Sequence, residues 1–77
     1  MVQVSEHEYM ANERARLEGF AELIRGCGIS LYELSKGTRV KYDTLLRALR
    51  LKTIRPENEA RIRLYIQIKN SNGNNEN

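Results

Sequence analysis

Apolar residues recur at intervals of three and four along most of this chain, and this pattern predicts α-helices. The first run begins at Ser5, where Ser5 and Glu8 form a Ser-x-x-Glu pair typical of a helix N-terminus. It ends near Gly26 and Gly28, residues that suit a left-handed helix end. The inward positions of this helix are predicted to be Met10, Leu17, Phe20, Ala21, Ile24 and Cys27. No stretch shows the strict alternation of a strand, so we expect an all-α fold.

Two shorter helices are predicted in the middle of the chain. A second Ser-x-x-Glu pair, Ser30 and Glu33, indicates the start of a helix that Gly37 is expected to end. Ser35 is small enough to let another helix cross closely. A third helix is predicted from about Lys41 to Leu51; its buried side consists of Leu45, Ala48 and Leu49, with Val40 packing at its start.

The last predicted helix begins at Pro56, a residue type favoured at the first helical position, and runs to about Ile68. Its apolar arc spans about 200°, wider than the roughly 100° that one core contact requires. Two interpretations are open: both neighbouring elements pack on this arc, or Leu64 and Ile68 form a homodimer surface. Residues 70–77 contain only Asn, Ser, Gly and Glu, which predicts a disordered tail after one domain of residues 1–69.

Positive charge is concentrated in the middle of the chain. Residues 36–63 carry nine Lys and Arg against three acids, whereas residues 1–35 carry three Arg against six Glu. A polyanion such as nucleic acid would therefore be drawn to the middle segment. No apolar stretch approaches the roughly 18–20 residues that cross a bilayer, so no membrane partner is expected.

The run from Leu31 to Leu49 resembles the helix-turn-helix of lac repressor-type regulators. It reads Leu-Tyr-Glu-Leu-Ser-Lys-Gly-Thr-Arg-Val-Lys-Tyr-Asp-Thr-Leu-Leu-Arg-Ala-Leu. The family typically reads Leu-Tyr-Asp-Val-Ala, a turn ending Gly-Val-Ser, and then Tyr-Gln-Thr-Val-Ser-Arg-Val-Val. This chain departs from that pattern at Arg39, Lys41 and Asp43, where the family has Gly, Ser and Gln. A long preceding helix is typical of the broader lambda repressor-like superfamily, so the resemblance implies a four-helix DNA-binding domain of that kind.

The resemblance also implies roles for individual residues. The side chains that would reach base edges are Tyr42, Asp43 and Arg47, which share one helical face opposite Leu45 and Leu49. Phosphate contacts are expected from residues on and beside the two motif helices: Tyr32, Lys36, Arg39, Lys41, Thr44 and Arg50.

Several of these residues also have an ordinary structural interpretation. Asp43 either accepts a hydrogen bond from cytosine N4 or simply favours the positive end of its helix dipole. Arg47 pairs with guanine, contacts phosphate or is solvated. Tyr42 is an interface residue or a core aromatic, and Tyr32 is a phosphate donor or ordinary surface. The single cysteine, Cys27, is interpreted as a small buried apolar residue.

We therefore predict a sequence-specific double-stranded-DNA-binding protein, such as a transcriptional repressor, that inserts the helix from about Lys41 into the major groove. It would bind as a homodimer with half-sites about 34 Å apart. Two alternatives remain: a protein-interaction adaptor with this helix-turn-helix shape, and a DNA-binding accessory of a phage or mobile element. No enzyme is expected, because the chain has no nucleophile–base pair and no glycine-rich phosphate loop.

Cofactors, metals and small-molecule effectors are not expected either. His7 is the only histidine and has no neighbouring ligands in the sequence, and the chain has no room for a ligand-binding domain. The acidic N-terminal segment is unlike a secretory signal peptide, and a lone cysteine fits a reducing compartment. We expect a cytoplasmic protein that is located at the nucleoid when bound to DNA.

Overall fold

The computed structural model describes the backbone of residues 6–74 and the side chains of residues 12–71. Over residues 6–74 the chain forms four α-helices and no strand: α1 (Glu6–Gly26), α2 (Leu31–Thr38), α3 (Tyr42–Leu49) and α4 (Pro56–Asn74). The predicted all-α fold is confirmed. Helix α2 packs against both α3 and α4, and α1 packs against α3. No helix in this part of the chain is long and apolar enough to cross a bilayer.

One apolar core joins the four helices. Its buried members are Phe20, Ala21, Ile24, Cys27, Leu34, Val40, Leu45, Ala48, Ile62 and Ile66. The described inward positions predicted for α1 and α3 are buried, except that Leu17 and Leu49 are only half-buried; of the two inward positions expected in α2, Leu34 is buried and Leu31 is half-buried. Met10 and the Ser5–Glu8 pair lie outside the described side chains. Each large apolar side chain that is buried contributes about 1.5–3 kcal/mol, so the core is the main source of stability.

Ser30 caps the N-terminus of α2, as predicted. Its hydroxyl oxygen accepts a hydrogen bond from the backbone N–H of Glu33 at 3.1 Å. The reciprocal half of the predicted capping box is not formed. The Glu33 carboxylate instead accepts a hydrogen bond from the Tyr65 hydroxyl at 3.3 Å and lies 3.5 Å from the Lys69 ammonium. Since both partners are on α4, Glu33 ties α2 to α4.

Gly37 lies inside α2 and permits the close approach of α4. A Cβ atom at Gly37 would overlap the ring of Tyr65. The prediction that Gly37 ends the helix is wrong, because α2 continues through Thr38. A close contact with α4 therefore occurs at Gly37. The hydroxyl of the half-buried Ser35 donates to the carbonyl oxygen of Val40 at 2.7 Å.

Two glycine substitutions test the close packing of Tyr65 against Gly37. Gly19 is exposed in α1 with nothing within 4 Å of an added Cβ, so Gly19→Ala is expected to stabilise the fold by about 0.5–1 kcal/mol. Gly37→Ala has the same helical gain but must displace the Tyr65 ring and its hydrogen bond to Glu33. We expect it to be less stable than Gly19→Ala by about 1–2 kcal/mol in urea unfolding. Equal stabilisation by both substitutions would contradict the close packing at Gly37.

The turn between α2 and α3 passes through left-handed backbone at Arg39, with φ 62° and ψ 28°. Three further hydrogen bonds hold this turn. The Arg39 N–H donates to the Ser35 carbonyl oxygen at 2.9 Å. The Thr38 hydroxyl donates to the Leu34 carbonyl oxygen at 2.5 Å and accepts from the Val40 N–H at 3.2 Å. A left-handed conformation costs a residue with a Cβ about 1–2 kcal/mol. The turn therefore keeps an arginine where glycine would be less strained.

The bounds of α3 and the C-terminal end of α4 differ from the sequence prediction. Helix α3 begins at Tyr42 and ends at Leu49, so Lys41 is its N-cap and Leu51 lies beyond it in left-handed backbone at φ 62°. Helix α4 continues to Asn74, and its predicted end near Ile68 is wrong. Weak helix formers alone do not stop the hydrogen-bond ladder when no proline follows. Disorder predicted for residues 70–74 is accordingly not observed, and residues 75–77 lie outside the described residues.

An ion-pair network connects α1 to the first turns of α4. The Glu59 carboxylate lies 2.7 Å from Nη1 of Arg16 and 3.0 Å from Nε of Arg63, and the Glu59 side chain is only 16% exposed. Partial burial by itself would raise the pKa of Glu59. The hydrogen bonds and charges of Arg16 and Arg63 together outweigh burial and hold this pKa below its ordinary value.

This network predicts an acid-sensitive contribution to stability. Because the folded-state pKa of Glu59 is lowered, its contribution is complete above the ordinary glutamate range, about 4.3, and is lost as the pH falls through the folded-state value. We expect Glu59→Gln to lose about 1 kcal/mol in urea unfolding at neutral pH and to match the wild type at strongly acidic pH. Glu57→Gln is the control, because Glu57 shares the first turn of α4 but is exposed. An equal loss in both variants would assign the effect to the helix dipole.

Candidate nucleic-acid interface

Helix α3 presents the three predicted base-contact residues on one exposed face. Tyr42 is 46% exposed, and Asp43 and Arg47 are also exposed. The opposite side of the helix, with Leu45 and Ala48, is buried in the core. The core interpretation of Tyr42 is therefore wrong, and the shared face predicted from helical spacing is confirmed.

The N-terminus of α3 has no side-chain cap. Lys41 occupies the N-cap position, and its carbonyl oxygen accepts hydrogen bonds from the N–H groups of Thr44 at 2.9 Å and Leu45 at 3.3 Å. The Lys41 side chain is exposed and makes no capping hydrogen bond. Asp43 lies in the first turn, where its charge is favoured by the helix dipole. The start of α3 is thus open to an external ligand.

The Arg47 guanidinium is turned toward the loop between α3 and α4. Its Nη2 donates to the carbonyl oxygen of Thr53 at 3.3 Å. This hydrogen bond is exposed, so rotation of the side chain away from the loop exchanges it for water at little cost. The base contact and the phosphate contact considered for this exposed side chain both stay predictions.

Two adjoining hollows between the α2–α3 turn, α3 and the start of α4 form what we call the basic cleft. They share Thr44, Arg55 and Asn58 in their walls. The rest of the lining is Arg39, Val40 and Lys41 on one side and Arg47, Thr53 and Ile54 on the other. Among the described side chains, no carboxylate lines either hollow. Four cationic side chains therefore border one concave surface without a neutralising partner in its walls.

Arg55 and Asn58 are residues of this cleft that sequence reasoning missed. The Arg55 carbonyl oxygen accepts hydrogen bonds from the N–H groups of Asn58 and Glu59, both at 3.0 Å, so Arg55 occupies the N-cap position directly before α4. Arg55 reads as a linker residue in the sequence. The signal that could have found it is Pro56, since the residue before a helix-starting proline is fixed in position by that helix.

The structure does not gather all the predicted phosphate contacts in the basic cleft. Arg39, Lys41 and Thr44 line it. Tyr32 and Lys36 lie elsewhere on α2, where the Lys36 ammonium is 5.2 Å from the centroid of the Tyr32 ring. The remaining member, Arg50, lies in a separate groove lined also by Glu18, Glu22, Arg25, Leu49 and Leu51. The acids beside Arg50 make its surroundings less favourable to an anion than the basic cleft.

The broad apolar arc of α4 is divided between the core and the surface. Ile62 and Ile66 are buried, whereas Leu64 is 57% and Ile68 49% exposed. These two exposed residues border a shallow apolar hollow with Gly37, Thr38, Arg61 and Tyr65. Neighbouring helices do not cover Leu64 and Ile68, so core packing alone does not account for the arc.

No assembled metal site is found in the part of the chain that the structure describes. No three His, Cys, Asp or Glu side chains among these residues are grouped as metal ligands. Cys27, the only cysteine, is buried with its thiol donating to the carbonyl oxygen of Ile24 at 3.1 Å.

Comparison of the chain with protein-family models, curated proteins and solved structures returned no match. Its function is therefore inferred from its own residues and their placement.

Proposed function

We propose that the protein binds double-stranded DNA in a sequence-specific manner, with α3 as the helix that enters the major groove. The observation that carries this proposal is the basic cleft beside the exposed face of α3. Phosphate oxygens are the natural ligands of such a concave cationic surface, and base edges suit the polar face next to it. An α-helix with its side chains is about 10–12 Å in diameter, which fits the width of the major groove.

The two surfaces have different tasks in this proposal. Tyr42, Asp43 and Arg47 meet base edges, where a carboxylate is useful only opposite an exocyclic amino group such as that of cytosine. Arg39, Lys41, Thr44, Arg55 and Asn58 hold the phosphate backbone and so fix the position of α3. Lys36 and Tyr32 supply a further backbone contact from α2, with Arg50 at the far end of α3.

The strained backbone at Arg39 supports a functional use of its side chain. A glycine there would avoid a cost of about 1–2 kcal/mol, so the fold itself gains nothing from arginine at this position. The side chain is exposed and lines the basic cleft. A phosphate contact made by the Arg39 side chain would explain why an arginine occupies left-handed backbone that favours glycine.

The proposal also includes homodimerisation through Leu64 and Ile68. The size of this apolar patch limits the free energy of dimerisation. Burying a leucine or isoleucine fully contributes about 1.5–3 kcal/mol, and both residues are already about half-buried. A twofold contact of four such side chains therefore supplies only about 4 kcal/mol. A micromolar dimer requires about 8 kcal/mol. We infer that the free chain is monomeric at micromolar concentration and that two copies pair on adjacent half-sites.

The biological role that fits these properties is that of a transcriptional repressor or regulator, a cytoplasmic protein located at the nucleoid when bound to DNA. A DNA-binding accessory protein of a phage or mobile element would use the same surfaces. The adaptor alternative is disfavoured by the basic cleft, since a protein-binding module has no need for four cations around such a surface.

Selection of bound sequences from a random duplex pool tests the proposal. We expect enrichment of one short motif, and enrichment of its inverted repeat at a spacing of about one helical turn if the copies pair on DNA. The control is a variant with Arg39→Gly and Arg55→Ala, in which two cations of the basic cleft are removed and enrichment should be largely lost. A wild-type pool without any enriched motif would refute sequence-specific binding and favour the adaptor.

A further inference from the structure

Leu46 lies in the middle of the exposed face of α3, between the polar residues proposed to read bases. With Tyr42 set at zero, Leu46 falls at about 40°, Asp43 at about 100° and Arg47 at about 140° around the helix. The buried Leu45 falls on the other side, at about 300°. An apolar side chain thus occupies the centre of an otherwise polar surface.

Core packing does not account for Leu46. The partly buried apolar residues that pack against the core, among the described side chains, are Leu23, Ile29, Leu31, Leu49, Ile54 and Tyr65. Leu46 is half-buried but does not belong to this set. Leu49, three residues later on the same helix, is also half-buried and does pack against the core. The fold therefore uses Leu49 and leaves the apolar surface of Leu46 without a core partner.

The major groove of DNA offers one apolar group on its base edges, the C5-methyl group of thymine. We propose that Leu46 contacts a thymine methyl and makes thymine the preferred base at one position of each half-site. This inference rests on the proposed DNA binding through α3. The neighbouring carboxylate of Asp43 cannot distinguish a methyl group from a hydrogen atom, whereas an apolar contact can. Leu46 is thus a specificity-determining residue rather than an anchor.

Removal of single methyl groups from the DNA tests the assignment without disturbing the protein. After the bound motif has been selected, each thymine of a half-site is replaced in turn by deoxyuridine, which keeps base pairing and lacks only the methyl group. Wild-type affinity is expected to fall about fourfold at one thymine and to change little at the others, as the loss of one buried methyl group implies. Leu46→Ala should bind the thymine duplex about fourfold or more weakly and show no further loss with deoxyuridine at that position.

Leu49→Ala is the matched control, because it removes the same atoms from the core side of the same helix. It is expected to lower the melting temperature while keeping the wild-type sensitivity to deoxyuridine. The inference is overturned if no thymine position is sensitive in the wild type, or if Leu46→Ala remains as sensitive as the wild type. Either result leaves the enriched motif and DNA binding intact. Failure to enrich any motif would instead refute the proposed function and this inference together.

Discussion

Arg47→Ala is expected to weaken binding to the selected duplex by about 1–3 kcal/mol, roughly 5- to 150-fold, and to change binding to random duplex far less. The reason is geometric. Arg47 lies on the exposed face of α3 with Tyr42 and Asp43, and only one exposed hydrogen bond, to the Thr53 carbonyl, holds it toward the loop. Once released, its guanidinium can donate two hydrogen bonds to guanine, and only a sequence with guanine at that position would lose them.

Arg39→Gly is the contrasting variant, because it removes a cation of the basic cleft and relieves left-handed backbone at once. We expect similar weakening on selected and random duplexes, and a salt dependence reduced by about one unit of slope. Unfolding stability should rise by about 0.5–1 kcal/mol, since relief of the strained backbone exceeds the added flexibility of glycine. Weaker binding by a more stable protein cannot be attributed to unfolding.

The two variants are compared by titration on both duplexes across several salt concentrations. If Arg47→Ala weakens both duplexes equally and lowers the salt slope, Arg47 is a phosphate anchor beside Arg55 and the base contact is wrong. If neither variant differs from the wild type on either duplex, the basic cleft is only a solvated surface. That second result would favour the protein-interaction adaptor.

Leu64→Glu combined with Ile68→Glu is expected to abolish cooperative binding to paired half-sites. Both side chains are about half-exposed, so the folded monomer accommodates the charges. In a twofold contact the same carboxylates would be buried near one another, at a cost of several kcal/mol. Affinity for the two-half-site duplex should fall about 10- to 100-fold, to the level of a single half-site, and affinity for a single half-site should change much less.

The control for that experiment carries the same added charge elsewhere on α4. Gln67→Glu with Asn70→Glu places two carboxylates on exposed positions outside the apolar patch. This variant accounts for any general repulsion of DNA by added negative charge. Loss of helical circular dichroism in the Leu64–Ile68 variant would show that the patch is core, and unchanged cooperativity with an intact fold would refute the dimer surface.

Local signals in the sequence predicted the helices and most of the core. The hydroxyl of Ser30, the proline at position 56 and the three- and four-residue spacing act within one or two helical turns, so the residues alone were sufficient. The exposed face of α3 belongs to the same category, because helical periodicity determines which side chains share a side.

The features that sequence reasoning missed depend on residues far apart in the chain. Glu33 was expected to complete a capping box, but Tyr65 and Lys69 from α4 are its partners. Gly37 read as a helix terminator, although the ring of Tyr65 is what requires a glycine there. Arg55 entered the basic cleft only through the position of α4 relative to α3. Such pairings are set by tertiary packing, which periodicity does not encode.

The burial of Cys27 has a practical consequence for following the motions of this domain. Cys27 is the only thiol in the sequence, is 9% exposed and lies where α1 leads into the loop before α2. Because Cys27 is buried, modification by a thiol reagent under native conditions is expected to speed up when this junction opens, so its rate can be used to follow that opening. The same burial disfavours an intermolecular disulfide between folded chains, so the proposed pairing of two copies would be non-covalent and reversible.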